Sequence, residues 1–186
     1  MSITQRDLHA RLGTEMRENH ARVAGVARSL DPERLVRKPG PGAWSVGETL
    51  EHLLLMDELF LPVVEERLRG ARPDAAAPAR EWRPSLIGKL IVSSLEKPKP
   101  LVSPKVGRPG TPRAGVVEKF LGQTTRYLAT MDEAQSHDWR ALRFAPPLAP
   151  WLPLRFNIGD AFWLHAVHVR RHIGQMDRIV AALEIR

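Results

Sequence analysis

The fold follows from residues 45–60, which read Ser45-Val46-Gly47-Glu48-Thr49-Leu50-Glu51-His52-Leu53-Leu54-Leu55-Met56-Asp57-Glu58-Leu59-Phe60. Ser45, followed three residues later by Glu48, fits a capping box, in which each side chain accepts a hydrogen bond from the other residue's backbone N–H. The apolar residues that follow lie on one broad face of a helix. This stretch therefore predicts a buried helix that extends to about residue 69 and carries His52 in its second turn.

Three further amphipathic helices are predicted around this one. Apolar residues recur at helical spacing over about residues 3–30, 113–131 and 157–183. Asn157 or Asp160 is available as the cap of the last helix. No strand-like alternation of useful length appears, and no repeat of roughly 20 to 50 residues is present. The predicted fold class is all-α, a four-helix bundle with long crossover connections.

A long proline-rich insertion separates the second and third predicted helices. It covers about residues 70–112, and only residues 85–95 are apolar enough to suggest a short helix. A segment of this kind is usually a functional loop, a lid or a mobile segment. We expect one domain over residues 1–186 that carries this insertion.

Composition excludes several classes of function. The chain has no cysteine, so a transition-metal site must use histidine and carboxylate ligands. Lys and Arg exceed Asp and Glu by 28 − 21 = 7, but the basic residues are dispersed without interleaved aromatic residues, so nucleic-acid binding is not predicted. No apolar run approaches the roughly 20 residues that span a bilayer, and residues 1–7 lack the apolar core of a signal peptide. We expect a cytoplasmic protein with no membrane and no nucleic-acid partner.

The histidines carry the functional information. His165, His168 and His172 lie on the predicted last helix, and His52 lies on the second. His168 and His172 are separated by about 40° and 6 Å, and His165 and His168 by about 60° and 4.5 Å. Either pair can chelate one ion, and His52 is the best candidate for a third ligand because the apolar face of its helix should pack against the last helix. The alternative is that these histidines are hydrogen-bonded packing residues of the core.

Two segments of the chain resemble motifs of the DinB-like superfamily. The first is Gly42-Ala43-Trp44-Ser45-Val46-Gly47-Glu48-Thr49-Leu50-Glu51-His52-Leu53, similar to the start of that family's second helix. The second is His165-Ala166-Val167-His168-Val169-Arg170-Arg171-His172-Ile173-Gly174-Gln175, similar to its last-helix motif. Together they frame nearly the whole chain except residues 70–112. The resemblance implies a bundle with a long crossover.

The resemblance also implies a metal site. Many members of the family hold Zn or Ni with one histidine from the second helix and an H-x-x-x-H pair from the last. By position, these ligands are His52, His168 and His172. His165 is then a neighbour that lines the pocket or supports a ligand, and Gln175 supports a ligand or packs beside it.

The activities that the resemblance implies include S-transfer of low-molecular-weight thiols such as bacillithiol and mycothiol-dependent isomerisation of maleylpyruvate. Three neutral imidazoles leave a fourth position for water or substrate, which is typical of catalytic zinc. We therefore predict a divalent-metal-dependent enzyme that transfers such a thiol to a small electrophile or acts as a hydrolase. No catalytic base is assigned, because Glu48 is the predicted cap and Glu51 points about 100° away from His52. The alternative is a non-catalytic, stress-related bundle that binds metal or forms a homodimer.

Overall fold

The structure, a computed structural model, describes residues 3–97 and 103–184. Its helices are α1 (Gln5–Arg28), α2 (Pro32–Val36), α3 (Val46–Arg69), α4 (Leu86–Leu95), α5 (Val116–Glu133) and α6 (Ile158–Glu184). The four long ones, α1, α3, α5 and α6, form the bundle, which confirms the predicted fold class. None of the helices in the described ranges combines the length and apolarity needed to cross a bilayer.

The long helices pack in a ring that does not follow chain order. α1 packs against α5 and α6, and α3 packs against the same two helices, so α1 and α3 face each other diagonally. A connection between diagonal helices must cross the end of the bundle, which accounts for the long crossovers. α3 and α6 run antiparallel, since His52 lies beside His168 and His172 while Asp57, further along α3, meets His165.

Two small antiparallel ladders join the connections. β1 (Ile3–Thr4) pairs with β2 (Glu81–Trp82), and β3 (Arg143–Phe144) pairs with β4 (Phe156–Asn157). Two-residue strands are too short to produce an alternating pattern, so the sequence did not indicate them. The first ladder ties the proline-rich insertion to the beginning of α1.

The starts of α3 and α6 are held by reciprocal caps. Ser45 Oγ accepts from the Glu48 N–H at 3.0 Å, and Glu48 accepts from the Ser45 N–H at 2.9 Å, as predicted. On α6 the two cap candidates act together, because Asn157 and Asp160 each accept from the other's backbone N–H. Asp160 also accepts from the N–H of Ser85, the residue before α4. One fully buried carboxylate therefore joins the starts of α4 and α6.

The described part of the insertion is folded onto α6. A Cβ on Gly88 would lie only 2.3 Å from Asp160 Oδ1, so the close approach of α4 to α6 requires glycine at this position. At the other end of α4, the Arg171 guanidinium donates to the carbonyl oxygens of Leu95 at 2.6 Å and Lys97 at 2.9 Å. Helix α4 is thus attached to α6 at both ends.

A buried ion pair fixes the start of α5 against α3. The Glu51 carboxylate accepts from the Arg113 guanidinium at 2.7 Å and from the Arg113 backbone N–H at 3.1 Å, while Arg113 also reaches Glu58 at 2.6 Å. Burial raises the pKa of Glu51, but the hydrogen bonds and charge of Arg113 outweigh it, and the pKa is lowered overall. Glu51 is therefore a structural carboxylate in this fold, next to His52 in the chain.

Arg113→Gln should leave the buried Glu51 without its cation and lower the free energy of unfolding by roughly 2 to 3 kcal/mol near neutral pH. Because the folded-state pKa of Glu51 is lowered, this stabilisation exists above the unfolded-state pKa and is lost as the pH falls through the folded-state value. Urea unfolding should therefore show the difference from wild type shrinking as the pH falls below the ordinary pKa of a glutamate, about 4.3. The control is Arg126→Gln, whose ion pair with Glu65 is more exposed and should contribute less than about 1 kcal/mol. Equal losses in the two variants would contradict the assignment.

Candidate metal centre

Helices α3 and α6 bring His52, His168 and His172 together. The Nε2 atom of His168 lies 3.2 Å from Nε2 of His52 and 3.1 Å from Nε2 of His172. One ligand nitrogen from each ring lies within 4.8 Å of the other two. His52 and His172 are buried, and His168 is half-buried. The spacing on the helix allowed two chelating pairs, and the structure joins the His168–His172 pair to His52.

Two of these rings are oriented by acceptors on their far side. His52 Nδ1 donates to the carbonyl oxygen of Gly107, and His172 Nδ1 donates to Gln175 Oε1 at 2.8 Å. A carbonyl oxygen can only accept, so the proton of each neutral ring is on Nδ1 and the lone pair is on Nε2. Both Nε2 lone pairs therefore face the position shared with His168.

All three rings are uncharged at neutral pH. Burial, and then the neighbouring His52, lower the pKa of His172 to about 3. Burial, and then the rings of His172 and His52, hold the pKa of His168 well below its usual range. Burial also lowers the pKa of His52, more than the bond to Gly107 raises it. The close approach of these Nε2 atoms is therefore not explained by an additional proton on one of the rings.

The donor set fits a divalent metal ion. The single Nε2 of His168 can donate at most one proton, so it cannot satisfy both of the lone pairs that face it. A cation that accepts all three lone pairs removes this conflict. In a tetrahedral site with zinc–nitrogen bonds of about 2.0–2.1 Å, the nitrogens are separated by about 3.3 Å. The observed separations of 3.1 and 3.2 Å are close to that value.

Trp44, the residue before the cap of α3, packs against two of the three rings. Its indole is stacked against His172 with centroids 6.3 Å apart and tilted against His52 at 5.0 Å. The indole therefore shields both buried rings from solvent. In the sequence, Trp44 stood out only as part of the segment that resembles the DinB-like superfamily, and nothing indicated its contact with His52 and His172.

A second group of polar side chains lies beside His165, one turn earlier on α6 than His168. His165 Nδ1 donates to Asp57 Oδ1 at 2.9 Å, and its ring stacks on Tyr127 with centroids 3.9 Å apart. The other Asp57 oxygen is buried and has no hydrogen-bond partner among the described residues. Because Asp57 accepts, the lone pair of a neutral His165 is on Nε2. Burial, and then the charges of Asp57 and Glu65, raise the pKa of Tyr127 well above its usual value, so this hydroxyl keeps its proton.

A cavity of about 1200 Å³ adjoins both groups. The three histidines of the candidate metal centre, together with Asp57, Tyr127 and His165, form part of its wall. Apolar side chains line much of the rest: Met56, Phe60, Ile91, Leu95, Leu148 and Leu164. A volume of this size accommodates a small organic molecule.

The sequence did not identify Gly107, Asp57 or Tyr127. Gly107 lies in the proline-rich insertion, and Asp57 is on the same helix as His52 but reaches His165 through the contact between helices. Tyr127 is on α5. The available signals were weak: an acidic residue on a predicted buried helix, and the only tyrosine in the chain.

Comparison with known proteins agrees with this architecture. The model of the DinB superfamily matches residues 15–176. The structure of YfiT from Bacillus subtilis, described as a probable metal-dependent hydrolase with an unusual four-helix bundle topology, matches with a TM-score of 0.57 and 15% identity, covering 98% of this chain and 91% of that chain. At this identity the likeness concerns the fold alone. The curated proteins give no significant match.

Gly107→Ala should weaken metal binding without removing a ligand. A Cβ at this position would lie 2.7 Å from Met56 Sδ and 3.3 Å from His52 Nδ1, so the Met56 side chain must move away and the His52 ring must shift against the Gly107 carbonyl group. We expect Zn²⁺ affinity, measured by competition with a chromogenic chelator, to fall about tenfold. Gly110→Ala is the matched control, because no atom lies within 4 Å of the added Cβ. Unchanged affinity in Gly107→Ala would show that the carbonyl group does not orient the ligand.

Proposed function

This chain belongs to the DinB superfamily, and we propose that it is a divalent-metal-dependent enzyme whose ion is held by His52, His168 and His172. The observation that supports this most directly is the convergence of three uncharged Nε2 atoms, because the one proton that His168 Nε2 can carry cannot satisfy both neighbouring lone pairs. Zn²⁺ and Ni²⁺ are the proposed ions, because imidazole ligands suit both. The description of YfiT as a probable metal-dependent hydrolase supports the same reading.

Three protein ligands suit catalysis better than a purely structural role. A structural zinc site is closed by four protein ligands, whereas three leave one position for an exchangeable molecule. When bound, the ion would lower the pKa of a water or thiol at that position and so supply the nucleophile. Trp44 shields the rings, and the cavity offers space for the substrate beside the half-buried His168.

We assign His165 as the residue that accepts the proton of the nucleophile. Its Nδ1–H bond to Asp57 leaves the Nε2 lone pair available, and the stacked Tyr127 ring holds the imidazole in place. His165 precedes His168 by one turn, about 4.5 Å along the helix. A carboxylate that orients an imidazole is a common arrangement for a general base.

The nucleophile that we propose is a low-molecular-weight thiol, which attacks a small electrophile in the cavity. The resemblance of the two histidine-containing segments to the family supports this choice. Water is the second candidate, favoured by the likeness to YfiT. The two candidates use the same ligands and the same proton acceptor, so they differ only in the molecule at the fourth position.

Metal binding is tested with protein purified without a histidine tag, stripped of metal and then titrated with Zn²⁺ or Ni²⁺. We expect about one ion per chain and a higher Tm, because a ligand that binds only the folded state stabilises it. His168→Ala should lose both effects. His9→Ala is the control. His9 lies on α1 and pairs with Asp132 of α5, away from the three histidines of the candidate site. A wild-type protein without stoichiometric metal would refute the proposal.

Turnover by the Zn²⁺-loaded protein distinguishes the nucleophiles. Bacillithiol, cysteine and glutathione would be tested with monochlorobimane, and p-nitrophenyl acetate would report hydrolysis. We expect Asp57→Asn and His165→Gln to lower kcat about 100-fold while keeping their metal. The control is His20→Gln, a half-buried histidine of α1 outside the cavity wall. If only the ester is turned over, water and not a thiol is the nucleophile. Metal binding without turnover would favour the non-catalytic bundle, and the homodimer stays a prediction in either case.

A further inference from the structure

We propose that the cavity binds an organic anion with an apolar body, and that Arg178 and Lys97 hold the anionic group at the cavity's open end. This inference rests on the proposed function, because it names the class of molecule on which the metal centre acts. Two observations support it: the change from polar to apolar cavity-lining residues along α6, and the absence of a described partner for the Arg178 and Lys97 side chains.

The polarity of the cavity wall changes along α6. Arg178 lies six residues after His172, about 9 Å along the helix, and Ala161 lies eleven residues before it, about 16 Å in the opposite direction. Arg178 and Lys97 are exposed, whereas Phe60 and Ala161 at the other end are buried. The candidate metal centre therefore lies between an open, basic end and a closed, apolar end.

The carboxylates in the cavity wall do not form a cation site at the open end. Asp57 lies deep in the cavity, where one oxygen accepts from His165 and the other has no partner among the described residues. Glu96, near the open end, lies 3.4 Å from the guanidinium of Arg170, which also pairs with Glu15 at 2.5 Å. At the open end, the acidic residue of the described cavity wall is therefore already paired with a cation.

Two cations at the open end have no such partner. Within residues 3–97 and 103–184, no hydrogen bond or ion pair engages the Arg178 guanidinium or the Lys97 ammonium group. The Arg178 guanidinium lies over Gly174, since Nη1 is 3.7 Å from the position that a Cβ there would take. Gly174 is itself part of the cavity wall. The guanidinium therefore lies along the wall and is available to an anion.

A third cation lies near this end of the cavity. The Arg171 guanidinium, also part of the cavity wall, donates to the carbonyl oxygen of Lys97 at 2.9 Å. A basic cleft of this kind concentrates anions. The apolar end lined by Phe60 and Leu164 disfavours a second charged group, because burying an unpaired charge is costly. A monoanion with an aliphatic or aromatic body satisfies both ends.

Isothermal titration calorimetry on the metal-free protein tests this with 4-phenylbutyrate, 4-phenylbutanol and butyrate. We expect 4-phenylbutyrate to bind at least about tenfold more tightly than the alcohol, which lacks the charge, and than butyrate, which lacks the ring. Arg178→Gln combined with Lys97→Gln should reduce the preference for the acid over the alcohol about tenfold. Arg67→Gln is the matched control, an exposed arginine of α3 outside the cavity wall.

Each outcome separates this inference from the proposed function. Equal binding of the acid and the alcohol, no binding of either, or a preference unchanged in the double variant would overturn the anion site. A preference that appears only after Zn²⁺ is added would also overturn it, because the carboxylate would then be binding the metal. If the acid is preferred as expected in a protein that binds no metal, the anion site stands and the proposed function fails.

Discussion

Three uncharged imidazoles face one another between two antiparallel helices, and a single proton on His168 Nε2 cannot satisfy the lone pairs of both His52 and His172. This contact depends on the register between α3 and α6, because a shift of one residue would rotate a ligand by about 100° around its helix. Reciprocal caps at Ser45–Glu48 and Asn157–Asp160 determine where these helices begin. The Glu51–Arg113 pair then fixes α3 against α5, one residue before His52.

The features that the sequence predicted are local ones. The capping box of α3 and the His168–His172 spacing each lie within one turn or so of helix, where position in the chain determines position in space. Whether His165 or His172 completes the pair depends on the neighbouring helix, so spacing alone left both open, and only the family resemblance chose between them. His52 could be proposed as a third ligand because its helix had a recognisable apolar face.

The features that the sequence missed are contacts between distant parts of the chain. Asp57 and His165 are separated by 108 residues, and His52 and Gly107 by 55. Neither pair has a local pattern, because each depends on how two elements pack. The short helix expected at residues 85–95 of the insertion is present as α4, but its bonds to α6 and the pairing of β2 with β1 were not indicated. The prolines and glycines of the insertion indicated where its helix and turns begin and end, but not which other parts of the chain it contacts.

Through the Gly107 carbonyl group, the proline-rich insertion contributes directly to the candidate metal centre. Surface connections usually tolerate insertions and deletions better than the helices they join. Here such a connection supplies the acceptor that orients His52, while both ends of α4 are bonded to the helix that carries His168 and His172. The candidate metal centre therefore depends on a surface connection as well as on its two helices. A change in this connection would reorient His52, and so alter the affinity of the proposed site, while all three histidines stayed the same.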